Sequence, residues 1–448
     1  MIKLEKYKPN KQTQKIIYVM TCILLVAFGA IFLYKSYALY EEKKDFNVIN
    51  GQVEEPGDLY FAYYVNGTIS KDVPTKDSGL TLDTTKSSCN SGVTVSWDDD
   101  NWHAILDYST YTANSTTRTK CTLYFKSKPV MATTLLNNLV SGANTSSTDV
   151  YTVPNKTSDS CTYTLAYDGT SDNNLRYVGA NPCNYVTFNG EKAGWRIIGI
   201  LNTPEGQRMK LIRTNSLRNY SWDNKASGTG SSTSSYGSND WTDSTLKEIL
   251  NNGAYYNRIS GTCPYGSSGS TTSCDFTSNG LTEETRNQID TIIWKLGGTA
   301  IYSSSSNGLA SHWYTYERGT TVYSGRPTEW QGKVGLMYPS DYGYATSGGS
   351  TSNRTSCLNR KLYNWDDSSY SDCKNNDWLY TGITQWTLAP SSSSSGSVFG
   401  VTGRGAVNSD SNNNNARYNY VVRPSVYLLP STKIIKGEGT LENPYMIG

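Results

Sequence analysis

The sequence predicts an α+β, β-rich and loop-rich domain, preceded by a small all-β sandwich-like domain and an N-terminal transmembrane helix. Three observations predict it. Residues 16–34, "IIYVMTCILLVAFGAIFLY", carry no charge. Between Asp58 and Phe125, short strand-like runs are separated by Gly, Asn, Asp and Ser. From Met131 onward, short strands and a few helical stretches alternate with long Ser/Gly/Asn/Tyr loops. A chain of 448 residues exceeds one ordinary core, so more than one domain is expected.

The apolar stretch comes first. As a helix it would span roughly 28 Å, about the hydrocarbon thickness of a bilayer. Lys3, Lys6, Lys8, Lys11 and Lys15 precede it against Glu5 alone, which places the N-terminus in the cytoplasm. Tyr34, Lys35, Tyr37 and Tyr40 stand where interfacial anchors belong. The plan is a basic cytoplasmic tail at 1–15, a single-pass membrane helix at 16–39 and a charged stalk at 40–57. A cleaved signal peptide is the rival. Its apolar region is usually shorter and ends at a small-x-small site, and none is clear here, so an uncleaved signal-anchor is favoured. The bulk of the chain is then extracellular.

The next unit, 58–128, reads as strands: "DLYFAYYV", "GLTLDT", "GVTVSW", "HAILDY" and "TKCTLYF". Their spacing suggests a small sandwich-like spacer. Cysteine usage fits the address. Of nine cysteines, Cys22 lies in the membrane segment and eight lie outside it. Eight allow about a hundred pairings, so connectivity stays open. Closure of neighbours has the fewest long crossings: Cys89 with Cys121, Cys161 with Cys183, Cys263 with Cys274, Cys357 with Cys373. Their spacings are not those of a zinc site, and disulfides in an oxidising compartment explain them better.

The second unit, 129–430, opens with a short helix in "VMATTLLNNLV". "WTDSTLKEILNN" reads as a helix capped at Thr242 or Asp243, with Leu246, Ile249 and Leu250 on one face. "TEETRNQIDTIIWKLGG" reads as a second helix, with Glu283 and Glu284 in its first turn and its stop at Gly297-Gly298. Strands are expected at "NYVTF", "GWRIIGIL", "RMKLIR", "GKVGLMYP", "SVFGVT" and "VVRPSVYLL", with Asn189-Gly190 as a hairpin turn. Residues 431–448 are expected to be a C-terminal tail.

Composition narrows function. A net charge of +2 and no basic stripe leave nucleic acid without an electrostatic footprint. The chain has 35 Tyr against 8 Phe, with 39 Gly and abundant Ser, Thr and Asn. Stiff amphipathic Tyr with adaptable Ser, Gly and Asn is the mixture favoured in binding surfaces, though a secreted β-protein with a polar exterior shares much of it. The segment "NSDSNNNNARYNYVVRPSVYLLP" sharpens the point, because a polar run is held directly against a core strand. Its candidate ligand-binding residues are Asn408, Asp410, Asn412, Asn413, Asn414, Asn415, Arg417, Tyr418 and Tyr420. Help is expected from 391–397 and from Trp313, Tyr314 and Tyr316, read as a loop after "SSSSNG".

Trp386-Thr387-Leu388-x-Pro390, a polar loop, a Val398 strand and Val422-Arg423-Pro424-x-Val426-x-Leu428 together resemble the closing segment of bacterial C-type-lectin-like surface domains. That fold is similar to those of formylglycine-generating sulfatase-modifying enzymes and of the variable proteins of diversity-generating retroelements. "GWRIIGI" at 194–200 and "WTDSTLKEILN" at 241–251 resemble earlier landmarks, and the likeness spans about Asp149 to Pro430. It implies a small twisted sheet carrying irregular loops, with ligands met on the loop face. In retroelement-diversified members, Asn-, Ser-, Tyr- and Asp-rich variable positions lie just before the final strand. On that resemblance the 408–420 segment is a display surface.

Catalysis finds less support. His103 and His312 lie in different units, so no triad with a second supporting His is available. The formylglycine-generating enzymes use a late reactive cysteine pair, and Cys357 with Cys373 is the nearest equivalent; a stapled loop suits them better. No catalytic residue is expected. Calcium-binding lectins of this fold carry Glu-Pro-Asn or Gln-Pro-Asn with Trp-Asn-Asp, and this chain lacks that pattern. No metal or cofactor is therefore expected, with calcium an unsupported alternative. Trp378 and Trp386 are expected to be buried, and Arg423 to pair with a buried carboxylate. The chain thus reads as a membrane-anchored extracellular recognition or adhesion protein with a protein or glycan ligand. An extracellular oxidase and a self-assembling surface subunit are the alternatives.

Overall fold

A computed structural model describes residues 59–448 except 77–78, 91, 111–118, 142, 146–149, 154–159, 226–236, 301–306 and 409–414. The predicted membrane helix at 16–39 and the stalk at 40–57 lie outside the described residues. Among those described, no helix is long and apolar enough to cross a membrane. The chain divides into two compact units between Lys128 and Pro129. Both are β-rich with few helices.

In the first unit, Leu59–Val65 runs parallel to Thr119–Ser127, and Leu80–Leu82 and Ser88–Cys89 pair with the same central strand. A separate hairpin joins Thr94–Asp98 to His103–Asp107. Alternation explains the packing: Thr119, Cys121, Leu123 and Phe125 are buried while their neighbours are not. Trp97 sets its ring edge-on to Phe125 at 5.0 Å, closing the hairpin over that row. The Cys89–Cys121 disulfide spans adjacent strands in the same place.

The second unit is built on a long antiparallel hairpin, Glu191–Thr203 with Gly206–Arg213. Trp195, Ile197, Ile198, Ile200 and Leu201 are all buried, so both faces of the first strand are covered. Asn189 and Gly190 have φ of +60° and +71°, the left-handed pair a tight two-residue turn into that hairpin requires. Along the other edge of Glu191–Thr203, Tyr185–Phe188 pairs near its start and Leu175–Tyr177 near its end, and Thr164–Tyr167 follows Leu175–Tyr177. A second sheet orders Asn219–Ser221, Asn419–Val421, Gln385–Pro390, Val398–Val401 and Val407–Asn408.

Several elements correct the sequence reading. "VVRPSVYLL" is not one strand. Asn419–Val421 belongs to the second sheet, and Ser425–Tyr427 pairs with Gly206–Arg213 in the first. Pro424, which lacks an N–H, stands at the break. Arg423 is buried there, but it donates to the carbonyls of Arg213 and Leu379 and to Gln385 Oε1, while Asp377 acts on it only through space. The helix at "TEETRNQ" ends at Gln288, and Ile292–Lys295 is a strand paired with Glu329–Gly332. β-Branched Ile292 and Ile293 favour that outcome. Ser244, rather than Thr242 or Asp243, caps Thr245–Asn251 by accepting from Lys247 N at 3.1 Å. The expected tail at 431–448 is instead structural: Lys433–Lys436 and Tyr445–Ile447 pair with each other, with Val130–Met131 and with Tyr185–Phe188. Ile434 and Tyr445 are buried in it.

The core also holds a charged cluster. Arg176 bridges Asp168 at 3.0 Å and Asp341 at 2.8 Å, and Lys210 Nζ meets the other oxygen of Asp341 at 2.6 Å. All four side chains are essentially inaccessible.

Candidate recognition surface

The second sheet fixes where the polar segment begins and ends. Asn408 closes the strand Val407–Asn408 opposite Gly400, and Asn415 forms a bridge with Ser397. Residues 409–414, with the candidates Asp410, Asn412, Asn413 and Asn414, lie outside the described residues. From Asn415 the chain enters Asn419–Val421 against Asn219–Ser221. Trp386 and Trp378 are buried, and Trp386 donates its indole N–H to Tyr220 O at 2.9 Å.

Along this edge the side chains form a row. The Arg417 guanidinium lies 4.9 Å from the Tyr418 ring centre. Tyr418 is stacked at 6.2 Å from Tyr420, and Tyr420 lies 4.6 Å from Trp386. Arg417, Tyr418, Asn419 and Tyr420 are half-buried, so the row runs from the surface down onto the core. Asn408 is half-buried, and Asn415 is buried.

A second element is clamped beside the row. Ser260–Pro264 and Thr271–Asp275 form a hairpin closed by the Cys263–Cys274 disulfide. Asn419 Oδ1 accepts from Gly266 N at 2.9 Å and from Ser221 Oγ at 3.0 Å. Ser221 Oγ also reaches Arg417 O at 2.8 Å. Tyr265, 47% exposed, projects from the same hairpin. The hairpin also meets Asn224, which donates to Ser270 O and accepts from Gly269 N, both at 2.6 Å, and Gly266 O accepts from Ser221 Oγ at 3.2 Å.

Asn224 lines an open cleft of about 360 Å³ with Lys225, Asp243, Lys247, Glu248 and Pro264 among its walls. Lys225 Nζ pairs with Asp243 Oδ1 at 2.6 Å and Lys247 with Glu248 at 3.6 Å, so both cations carry local partners. Asp223 anchors this region by accepting from Ser238 N at 2.7 Å and Thr245 N at 3.0 Å. Burial pushes its carboxyl above the usual range, against the pull of those backbone donors. The hairpin is shared: its tip bonds Asn419 in the row, and Thr262, Pro264, Gly269 and Thr271 line the cleft.

The other expected contributors lie elsewhere. Trp313, Tyr314 and Tyr316 sit in a helix, Ala310–Arg318, not a loop. Trp313 packs edge-on to Phe399 at 4.6 Å and is buried. Tyr314 is buried too, bonded to Asp172 and to Asn174, while Tyr316 is half-buried. The helix forms because its apolar face meets the core, which the sequence concealed behind a serine run. Most of 391–397 is also interior. Ser391, Ser395 and Ser397 are buried, and Asn239 Nδ2 donates to the carbonyls of Ser391, Ser394 and Ser397.

Tyr265 and the cleft residues were missed, and Asn419 lay within the expected 408–420 segment without being singled out. The signal available was the short Cys263–Cys274 spacing around "PYGSSGSTTS", which marks a stapled, displayed hairpin. Among the described residues, no group of three or more His, Cys, Asp or Glu is placed to hold a metal. The Cys161–Cys183 and Cys357–Cys373 pairs are also joined, and four disulfides suit an extracellular or secreted protein. No family model, curated protein or solved structure matches the chain.

Proposed function

We propose that this chain is a membrane-anchored extracellular recognition protein. Its second unit is a C-type-lectin-like domain that binds a protein or glycan ligand through the Arg417–Tyr420 row, Tyr265 and the 409–414 segment that precedes the row in sequence. The observation that carries this reading is the row itself. A guanidinium lies over one of two stacked tyrosines, the second tyrosine leans on a buried tryptophan, and a disulfide-closed hairpin clamps the row. Aromatic and Arg side chains dominate contact energies, and groups held in place before binding lose less entropy on association. The apolar, uncharged segment at 16–34 supports the anchor.

The oxidase alternative requires Cys357 or Cys373 as a free accessible thiol, whereas both are buried and bonded to one another. Diversification of the segment belongs to the same proposal. A near-copy of the codons for 391–424 beside the gene, differing mainly at adenines and adjoining a reverse transcriptase, is its expected trace.

The decisive experiment displays the chain from residue 40 onward against protein and glycan arrays, then repeats the hits with Arg417→Ser and Tyr418→Ser. Loss of binding in variants that retain the wild-type melting temperature supports the surface. Undiminished binding by both variants would overturn it.

A further inference from the structure

The Lys210–Asp341 contact has the geometry of a reaction as well as of an ion pair. Lys210 lies in the strand Gly206–Arg213, and Asp341 lies in the helix Pro339–Tyr344, 131 positions away. Nζ stands 2.6 Å from Oδ2, and neither side chain is more than 1% exposed. The rings of Tyr338, Tyr427 and Trp294 surround the amine at 4.4, 5.1 and 5.3 Å. Asp341 is itself pinned: Oδ2 accepts from Tyr338 N at 2.9 Å and Oδ1 from Arg176 Nη1 at 2.8 Å.

We propose that Lys210 and Asp341 condense into an intramolecular isopeptide bond, making this site a self-catalysed covalent crosslink within the second unit. A proton passes from the ammonium to Oδ2, leaving a neutral amine and a carboxylic acid. The Nζ lone pair attacks Cγ, and the developing oxyanion on Oδ1 is held by the Arg176 guanidinium. The amine's second proton joins the departing Oδ2 hydroxyl. One C–N bond forms, one C–O bond breaks and one water leaves, so no oxidant or co-reactant is needed.

Three features favour condensation over a permanent ion pair. An ion pair away from water keeps a desolvation penalty that a neutral amide does not carry. Holding the reacting groups together supplies an effective concentration that free amines and acids never reach in solution. Arg176 keeps a second partner, Asp168 at 3.0 Å, so cancelling the charge of Asp341 does not strand a buried cation. Burial pushes Lys210 down to about 8 despite the pull of Asp341, bringing the free amine within reach near neutral pH. Burial also pushes Asp341 up, but Lys210 and Arg176 outweigh it and hold the carboxyl at about 2. The ionic form is therefore the resting state and the neutral pair the reactive minority.

Glu317 is a positioning residue. It accepts from Ser340 N at 2.8 Å and from Ser340 Oγ, fixing the turn that carries Asp341.

Mass spectrometry of the purified, disulfide-reduced protein tests the proposal. The expected result is a mass one water below the sequence value, with a tryptic fragment in which the Lys210 peptide is joined to the Asp341 peptide. Asp341→Asn is expected to give the same branched fragment with loss of ammonia instead of water. A full sequence mass in the wild type overturns the proposal. So does a water deficit that maps elsewhere, for example to a succinimide at Asp168-Gly169.

Discussion

Tyr420 stands with its ring centre 4.6 Å from that of Trp386, and Trp386 is fixed in turn by the carbonyl of Tyr220. Both tyrosines pack against the core, but Tyr420 rests directly on buried Trp386, whereas Tyr418 carries Arg417 on its other side. The two tyrosines should separate in mutagenesis. Tyr420→Ala removes the ring that leans on Trp386 and is expected to cost about 3 kcal/mol of stability together with binding. Tyr418→Ala should reduce binding with a stability change below about 1 kcal/mol. Urea unfolding and ligand titration of both variants check this; equal stability losses would contradict it.

The hairpin is held by the side chains of Asn419, Ser221 and Asn224 and by one disulfide. Asn419→Ala leaves Gly266 N without its acceptor and is expected to cost about 1–3 kcal/mol. Replacing Cys263 and Cys274 together by Ser should cost about 3 kcal/mol and loosen the Tyr265 tip. Hydrogen exchange at residues 260–275 should rise in both variants, while exchange in Glu191–Thr203 stays unchanged. Uniform acceleration across the unit would show that the hairpin is not locally anchored.

Glu317 makes stability depend on pH. Burial pushes its carboxyl up to about 7 from an ordinary 4.5, against the pull of Arg318 and Ser340. Between those values the folded state keeps a proton that the unfolded chain has released, so stability falls as pH rises through that window. The total is of order 3 kcal/mol. Glu317→Gln should abolish this slope, as read by urea midpoints at about pH 5 and about pH 7.5. A variant with the wild-type slope would place the titration elsewhere.

The last strands predict a sharp truncation boundary. Ending the chain at Pro430 removes buried Ile434 and Tyr445 and exposes the edge of Tyr185–Phe188. The truncated protein is expected to aggregate or to melt well below the full chain in calorimetry. An unchanged melting temperature would return 431–448 to the status of a tail.

Much of this architecture was legible and some was not, for physical reasons. The strand Thr119–Ser127 alternates buried and exposed positions, and Asn189-Gly190 takes the left-handed turn its residue types favour. Neighbouring cysteines pair because each couple closes a short local loop. "IDTIIWK" failed because a short apolar run such as Ile292-Ile293-Trp294 fits helix and strand alike until its partner, Glu329–Gly332, is known. Trp313 and Tyr314 failed for another reason. A serine-rich flank says nothing about whether the next helix faces inward. The contact surface was half visible: Arg417, Tyr418 and Tyr420 stand in one segment, but the hairpin that clamps them lies some 150 residues earlier, with Gly266 bonded to Asn419 across a separation of 153. Pairing across such a distance leaves no local pattern.

The break at Pro424 has a use beyond topology. It splits the closing segment so that the stretch before it belongs to the second sheet and the stretch after it pairs with the long central hairpin. A change of length or sequence between Asn408 and Asn415 is therefore absorbed by the bridge to Ser397 and one three-residue strand, without shifting the register of Ser425–Tyr427. In engineering language this is an exchangeable cassette on an indifferent chassis: foreign peptides can be spliced between those two asparagines while the rest of the domain assembles around its own unaltered frame.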